Sequence, residues 1–210
     1  DCWVVLNYDD IVSIFRDPET FSAALARHPV QPLCPAAGAV RDELDIAIEP
    51  ALVDESPETH RDHRRIFGDA FTPKRVNQME ARIRDIVTKF IDSFIEDGEA
   101  DLVSQMFYEL PALAMFIFLG AKDDDAALVK KLGSRRAIVN WGRPDDAEQV
   151  EMMKDMGQHW DFTKNLVAEA MENPGDNYVG DMVRLHREDP SKFTINYLTN
   201  VVFVMMFAGL

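Results

Sequence analysis

The spacing of apolar residues along most of the chain is the feature that most constrains its fold. Between Val76 and Phe94, apolar side chains recur every three or four residues, which is the spacing of an amphipathic helix. Residues 195–210 are apolar on nearly every side, which is typical of a helix in the middle of a large protein. The sequence therefore predicts a mainly α fold. Further helices are predicted near residues 110–120, 123–139, 148–171 and 178–186.

The N-terminal part of the chain has a weaker pattern. The β-branched and aromatic run Trp3–Leu6 predicts a short strand, the minor β content of the fold, and residues 10–15 predict a short helix. Residues 26–50 contain four prolines and little periodicity, which predicts a long irregular loop. Because structureless loops of this length are uncommon in compact domains, we expect this loop to have a function.

The charge and the cysteines of the chain exclude several classes of protein. A net charge of −15 argues against broad binding to nucleic acids or anionic membranes, since both need extended basic surfaces. Cys2 and Cys34 have no zinc or redox spacing, which favours a reducing, cytoplasmic setting. The apolar run 201–208 is far shorter than the roughly 20 residues that cross a bilayer. We also expect both ends to be internal to a longer protein, because the chain lacks an initiator Met and a helix stop signal.

A basic cluster at positions 60–65 stands out in this acidic chain. If the segment is helical, His60 and Arg64 lie on one face and Arg61 and Arg65 lie on the next, because residues four apart are neighbours on a helix. The positive N-terminal end of the helix dipole and the like charges both disfavour this arrangement. A bound anion would relieve it, and the first pair could hold one carboxylate or phosphate.

Other interpretations of the cluster remain open at this stage. It could be a solvated basic face balanced by acids such as Asp62 and Asp69, and the spacing alone does not decide between the two. A metal site is less favoured, because His60 and His63 are awkwardly spaced for one ion and neither Glu-x-x-His nor HExxH occurs. The chain also lacks the GxSxG, GxxxxGK[ST] and GxGxxG motifs of common nucleophile and phosphate sites.

The segment ESPETHRDHRRIFGDAFTPKRV, residues 55–76, resembles the C helix of bacterial cytochrome P450 monooxygenases and the turn that follows it. Residues 3–23 resemble the strand and B helix of that family, and residues 26–50 the loop between the B and C helices that lines the substrate pocket. Residues 195–210 resemble the first half of its central I helix. The resemblance thus implies a single partial domain, residues 1–210, of the P450 fold. In the C-helix segment, the residues in register are Pro57, His60, Arg64, Arg65, Phe71, Thr72 and Pro73.

The resemblance implies roles for individual residues. His60 and Arg64 would bind a propionate of haem b, which is a charge-assisted contact. Ala208 and Gly209 would lie at the haem face where oxygen binds, and Arg65 would belong to the surface on which a redox partner docks.

The resemblance also implies a pocket wall and a missing ligand. Leu52, Val204 and Phe207 would line the substrate pocket. In that family a loop cysteine is the thiolate ligand of haem iron. Cys2 and Cys34 lie outside any such motif, so the sequence predicts no metal ligand and no catalytic residue within this chain, which we do not expect to be active alone.

Two classes of function follow. The leading hypothesis is that the chain is part of a monooxygenase that activates dioxygen and oxidises a small apolar organic substrate. Its electrons would come from NAD(P)H through a ferredoxin or a flavin/iron–sulfur reductase, separate or fused. The alternative is a non-catalytic helical binding or scaffold protein, in which the basic face is a docking surface and the last helix is simply core.

Overall fold

The computed structural model describes residues 3–122 and 137–209, which fold mainly as α-helices. Short 3-10 turns lie at Ala23–Leu25, Asp69–Phe71 and Ile95–Asp97, and one π-helical turn lies at Val103–Phe107. Residues 137–141 are also helical. The labelled helices are α1 Tyr8–Arg16, α2 Pro35–Glu43, α3 Pro57–Gly68, α4 Pro73–Phe94, α5 Leu110–Leu119, α6 Asp146–Glu172, α7 Tyr178–Glu188 and α8 Ile195–Ala208.

Helix α8 lies at the centre of the main hydrophobic core, as its apolar sequence predicts. It packs against α5, α6 and α7, and Leu198, Val201 and Val202 are completely buried. Each such side chain stabilises the fold by about 1.5–3 kcal/mol relative to an exposed one. Phe116 of α5 and Val183 of α7 complete the same cluster.

The predicted helical segments are confirmed wherever the structure describes them. Helix α4 ends near the predicted Gly98, which adopts a left-handed conformation with φ of 77° after the 3-10 turn. No residue of α4 is fully buried. Its apolar stripe is half-buried, because within the described residues it is covered mainly by α5 and the π-helical turn. The helix predicted at 123–139 falls largely outside the described residues.

Two predictions for the N-terminal part need correction. Residues 3–6 form no strand and pair with none in the described part of the chain, and Trp3 is 98% exposed. Propensity alone does not make a strand without a partner. The loop predicted at 26–50 contains helix α2. Pro35 there occupies the first turn, where proline favours a helix, and the thiol of Cys34 accepts a hydrogen bond from the Ala37 amide.

Candidate functional site

The segment immediately before α3, residues 51–55, runs beside that helix and is called here the strap. The carbonyl of Leu52 accepts a hydrogen bond of 2.7 Å from Nδ1 of His60. Leu52 has a φ of 53°, a left-handed conformation that is strained for leucine. The Ala51 amide donates to Asp54, and Asp54 forms a largely buried ion pair of 2.8 Å with Arg27. The strap is therefore held from both sides.

The Leu52 contact fixes the chemistry of the His60 ring. A carbonyl oxygen can only accept, so the proton must be on Nδ1 and the tautomer follows from this contact. Nε2 then either accepts a hydrogen bond or, in the imidazolium form, donates one. His60 can thus bind an anion through Nε2 only as the imidazolium.

The three arginines of α3 form no hydrogen bond or ion pair within residues 3–122 and 137–209. Arg61, Arg64 and Arg65 are all exposed. Asp62, which could have balanced them, instead faces Lys192 at 3.9 Å. Within the part of the chain that the structure describes, no acidic side chain is therefore paired with these arginines. Since Arg64 is one turn beyond His60 on α3, the two side chains can together bind an external carboxylate.

A buried polar cluster behind this face was missed by the sequence reasoning. Nδ1 of His63 lies 2.9 Å from Oε1 of Glu55, and the Tyr197 hydroxyl donates to the same oxygen at 2.5 Å. The hydroxyl is also 2.6 Å from Nδ1 of His63. The Glu55–His63–Tyr197 cluster joins the strap, α3 and the first turn of α8. The available signal was helical phase, since His63 lies four residues before the buried Phe67.

Two buried tyrosines near the site differ in their partners. Burial raises the pKa of Tyr197, and its hydrogen bond to Glu55 raises that pKa further. Burial also raises the pKa of Tyr178, while the Arg64 guanidinium opposes this rise. The Tyr178 hydroxyl is buried without a hydrogen-bond partner in the described part of the chain. Both phenols therefore remain protonated over the physiological pH range.

The predicted pocket and oxygen-face residues lie mainly at the end of α8. Val204 and Phe207 are half-buried, Ala208 is exposed, and the Gly209 amide donates to the Met205 carbonyl at 3.2 Å. Leu52, in the strap, is half-buried and packs against the main core.

Trp141 joins this part of the structure, and the sequence reasoning missed it. Its ring centroid lies 6.0 Å from that of Phe207, although Trp141 is 59% exposed. The available signal was a large aromatic residue directly before the helix-breaking segment Gly142-Arg143-Pro144. Two aromatic rings of different helical segments thus share one partly open surface.

No group of three or more His, Cys, Asp or Glu side chains in residues 3–122 and 137–209 is arranged to hold a metal ion. No helix in that part of the chain has the length and apolar character needed to cross a membrane.

Comparison with known proteins gives concordant matches, although no family model matches the chain. It is 23% identical over 211 residues to cytochrome P450(MEG) of Priestia megaterium, covering all of this chain and 50% of that protein. The CYP116B5 haem domain of Acinetobacter radioresistens superposes with a TM-score of 0.91 and 33% identity, over 99% of this chain and 50% of the other. An intact type IV self-sufficient cytochrome P450 monooxygenase superposes with a TM-score of 0.90 and 28% identity, over 99% and 27% respectively. The chain spans about half the length of the curated relatives it matches.

Proposed function

Because this chain is a member of the cytochrome P450 family that corresponds to the N-terminal half of the haem domain, we propose that it is part of a haem-dependent monooxygenase. The observation that carries the proposal is the basic face of α3. His60 and Arg64 lie one helical turn apart, and no acid of the described residues neutralises Arg64.

The residues present fit one carboxylate of haem b. Leu52 holds the His60 ring through Nδ1, which leaves Nε2 for a ligand, and the exposed Arg64 supplies a permanent charge with several N–H donors. A propionate is an anion of the right size for two such groups. When bound, the haem supplies the activation of dioxygen, and the protein contributes binding, orientation and control of solvent access.

The proposed substrate is a small apolar organic molecule. Val204 and Phe207 at the end of α8, together with Trp141, offer apolar surface for it, and loop 26–50 would close the other side. Leu52 belongs to the same proposed wall, although its carbonyl also holds His60. Ala208 and Gly209 are small enough to leave room for oxygen beside the haem.

We propose that electrons come from NAD(P)H through a ferredoxin or a flavin/iron–sulfur reductase, in the cytoplasm. Arg65 is exposed and unpaired in the described part of the chain, so it can attract an acidic partner surface. The similarity to a self-sufficient monooxygenase supports a fused reductase as one arrangement, and a separate protein is the other. No observation favours the alternative of a non-catalytic scaffold.

The experiment compares haem retention in two arginine variants of the haem-loaded full-length protein, of which this chain is proposed to be part. Arg64→Ala removes the proposed propionate contact, whereas Arg61→Ala removes an equal charge from the adjacent face of α3. We expect transfer of haem to an excess of an acceptor protein to be about tenfold faster for Arg64→Ala, the effect of losing roughly 1.4 kcal/mol of a charge-assisted contact. Equal rates in both variants would refute the assignment of the two faces.

A separate measurement tests the reaction class. The reduced full-length protein, of which this chain is proposed to be part, should show the Soret shift of a thiolate-bound haem when treated with carbon monoxide, because the family uses a cysteine ligand that this chain does not supply. Absence of that shift in the haem-loaded full-length protein would exclude the monooxygenase proposal.

A further inference from the structure

Loop 26–50 is held to the helical body by two buried side-chain amides that belong to other parts of the chain. The first is Asn200, which is completely buried in α8. Its Oδ1 accepts from the Glu49 amide at 3.1 Å, and its Nδ2 donates to the Ala47 carbonyl at 2.9 Å. One side chain thus pairs with the backbone of the loop in the way that a neighbouring strand would.

The second amide is Gln149, near the start of α6, which is 2% exposed. Its Oε1 accepts from the Cys34 amide at 2.7 Å, and its Nε2 donates to the Pro144 carbonyl at 3.1 Å. Gln31 of the loop donates to the same carbonyl at 3.3 Å. Gln149 therefore fixes the loop at the point where α2 begins.

Close packing of α2 against α6 is a further attachment of the loop. A Cβ atom at Gly157 would lie 2.7 Å from Cδ1 of Leu44, so the absence of a side chain at Gly157 lets the end of α2 approach α6 closely. This contact lies between the two amide anchors along the loop.

Neither amide has all of its hydrogen bonds within its own helix. Asparagine is a poor helix former, and a buried polar side chain costs free energy unless its donors and acceptors are paired. Asn200 donates to the Asn196 carbonyl of its own helix, but its remaining bonds all reach the loop. The adjacent Thr199 behaves differently, since among the described residues its hydroxyl bonds only to the Ile195 carbonyl of the same helix.

We propose that Asn200 and Gln149 are positioning residues that hold loop 26–50 in one shape and thereby set which substrates the pocket admits. The inference rests on the proposed function, because the loop forms a pocket wall only if the chain is part of a haem-dependent monooxygenase. Without an anchor, a ligand that contacts the loop must order it on binding, and this weakens its affinity. A ligand that reaches the haem without contacting the loop is unaffected.

Hydrogen–deuterium exchange tests the anchors without reference to haem. We expect Asn200→Ala to speed exchange of the Glu49 amide, and Gln149→Ala that of the Cys34 amide, each by about two- to tenfold, since an ordinary hydrogen bond contributes about 0.5–1.5 kcal/mol. Thr199→Ala is the matched control and should leave both amides unchanged. If Asn200→Ala does not fold, Gln149→Ala still tests the inference. Unchanged exchange in a folded anchor variant would overturn it.

Ligand binding to the haem-loaded full-length protein then tests specificity with two probes. Imidazole is small, whereas phenylimidazole must also fit against the pocket wall. We expect the anchor variants to bind phenylimidazole about three- to tenfold more weakly, with imidazole affinity within about twofold of the unmodified protein. If hydrogen–deuterium exchange shows that an anchor variant has released the loop but the ratio of the two affinities is unchanged, the specificity role is overturned and the proposed function remains intact. Failure of the unmodified full-length protein to bind haem would instead refute the proposed function, and the specificity role would fall with it.

Discussion

The Glu55–His63–Tyr197 cluster makes a quantitative prediction about stability. Tyr197 is 7% exposed, and its hydroxyl donates to Glu55 at 2.5 Å, so Tyr197→Phe removes a buried hydrogen bond to a carboxylate. Bonds to charged groups contribute about 1.5–3 kcal/mol, and we expect the free energy of unfolding to fall by that amount. With a urea m-value of about 1–3 kcal/mol per molar, the unfolding midpoint should fall by roughly 1 M.

Tyr178→Phe is the matched control for this substitution. Tyr178 is 1% exposed, but its hydroxyl has no hydrogen-bond partner in the described residues. Removing an unpaired buried hydroxyl should leave the free energy of unfolding unchanged or raise it. Urea unfolding followed by tryptophan fluorescence measures both variants, since Trp160 is buried. Equal losses in the two variants would refute the claim that the hydrogen bond, rather than burial alone, stabilises the cluster.

Three further predictions concern backbone strain and titration. Asp45 is exposed with a φ of 49°, so Asp45→Gly should raise the free energy of unfolding by up to about 1 kcal/mol, whereas Ala39→Gly inside α2 should lower it by a similar amount in the same urea experiment. The Ser191 hydroxyl and the Lys192 amide lower the pKa of Asp189 from 3.8, so this group stabilises the fold above pH 3.8 and loses that effect as the pH falls through its lowered pKa. The free energy of unfolding of Asp189→Asn, measured against pH, should lack this contribution. A dependence on acid pH identical to that of the unmodified protein would contradict the prediction. Burial raises the pKa of Tyr178 and Tyr197 above 10.0, so their stabilising effect is present below pH 10.0 and lost at higher pH; ultraviolet absorbance should show two of the four tyrosines ionising only on unfolding.

Much of the helical fold could be predicted from the sequence because a helix buried on one side has apolar residues every three or four positions, whichever elements it packs against. Helix α4 and helix α8 illustrate this, one amphipathic and one apolar all round. Helix α2 could not be predicted in this way. It is short, alanine-rich and preceded by prolines, and its stability depends on packing against α6, which no local pattern reveals.

The candidate site was predictable only where local spacing determines it. Helical phase places His60 and Arg64 on one face, but the contact that orients the His60 ring comes from a carbonyl, whose position depends on backbone conformation. The buried cluster joins Glu55 to Tyr197 across 142 positions of sequence. Contacts at such separations are fixed by tertiary packing, so residue spacing in a single sequence does not reveal them.

The strap constrains how this protein can vary in length. Leu52 bonds to His60 and Glu55 bonds to His63, and both pairs are separated by eight positions. A single insertion or deletion between Glu55 and His60 would therefore displace both histidines from their partners at once. Homologues that keep both contacts should tolerate substitutions in this stretch but no change in its length, even though length variation is ordinarily accommodated best in connecting segments.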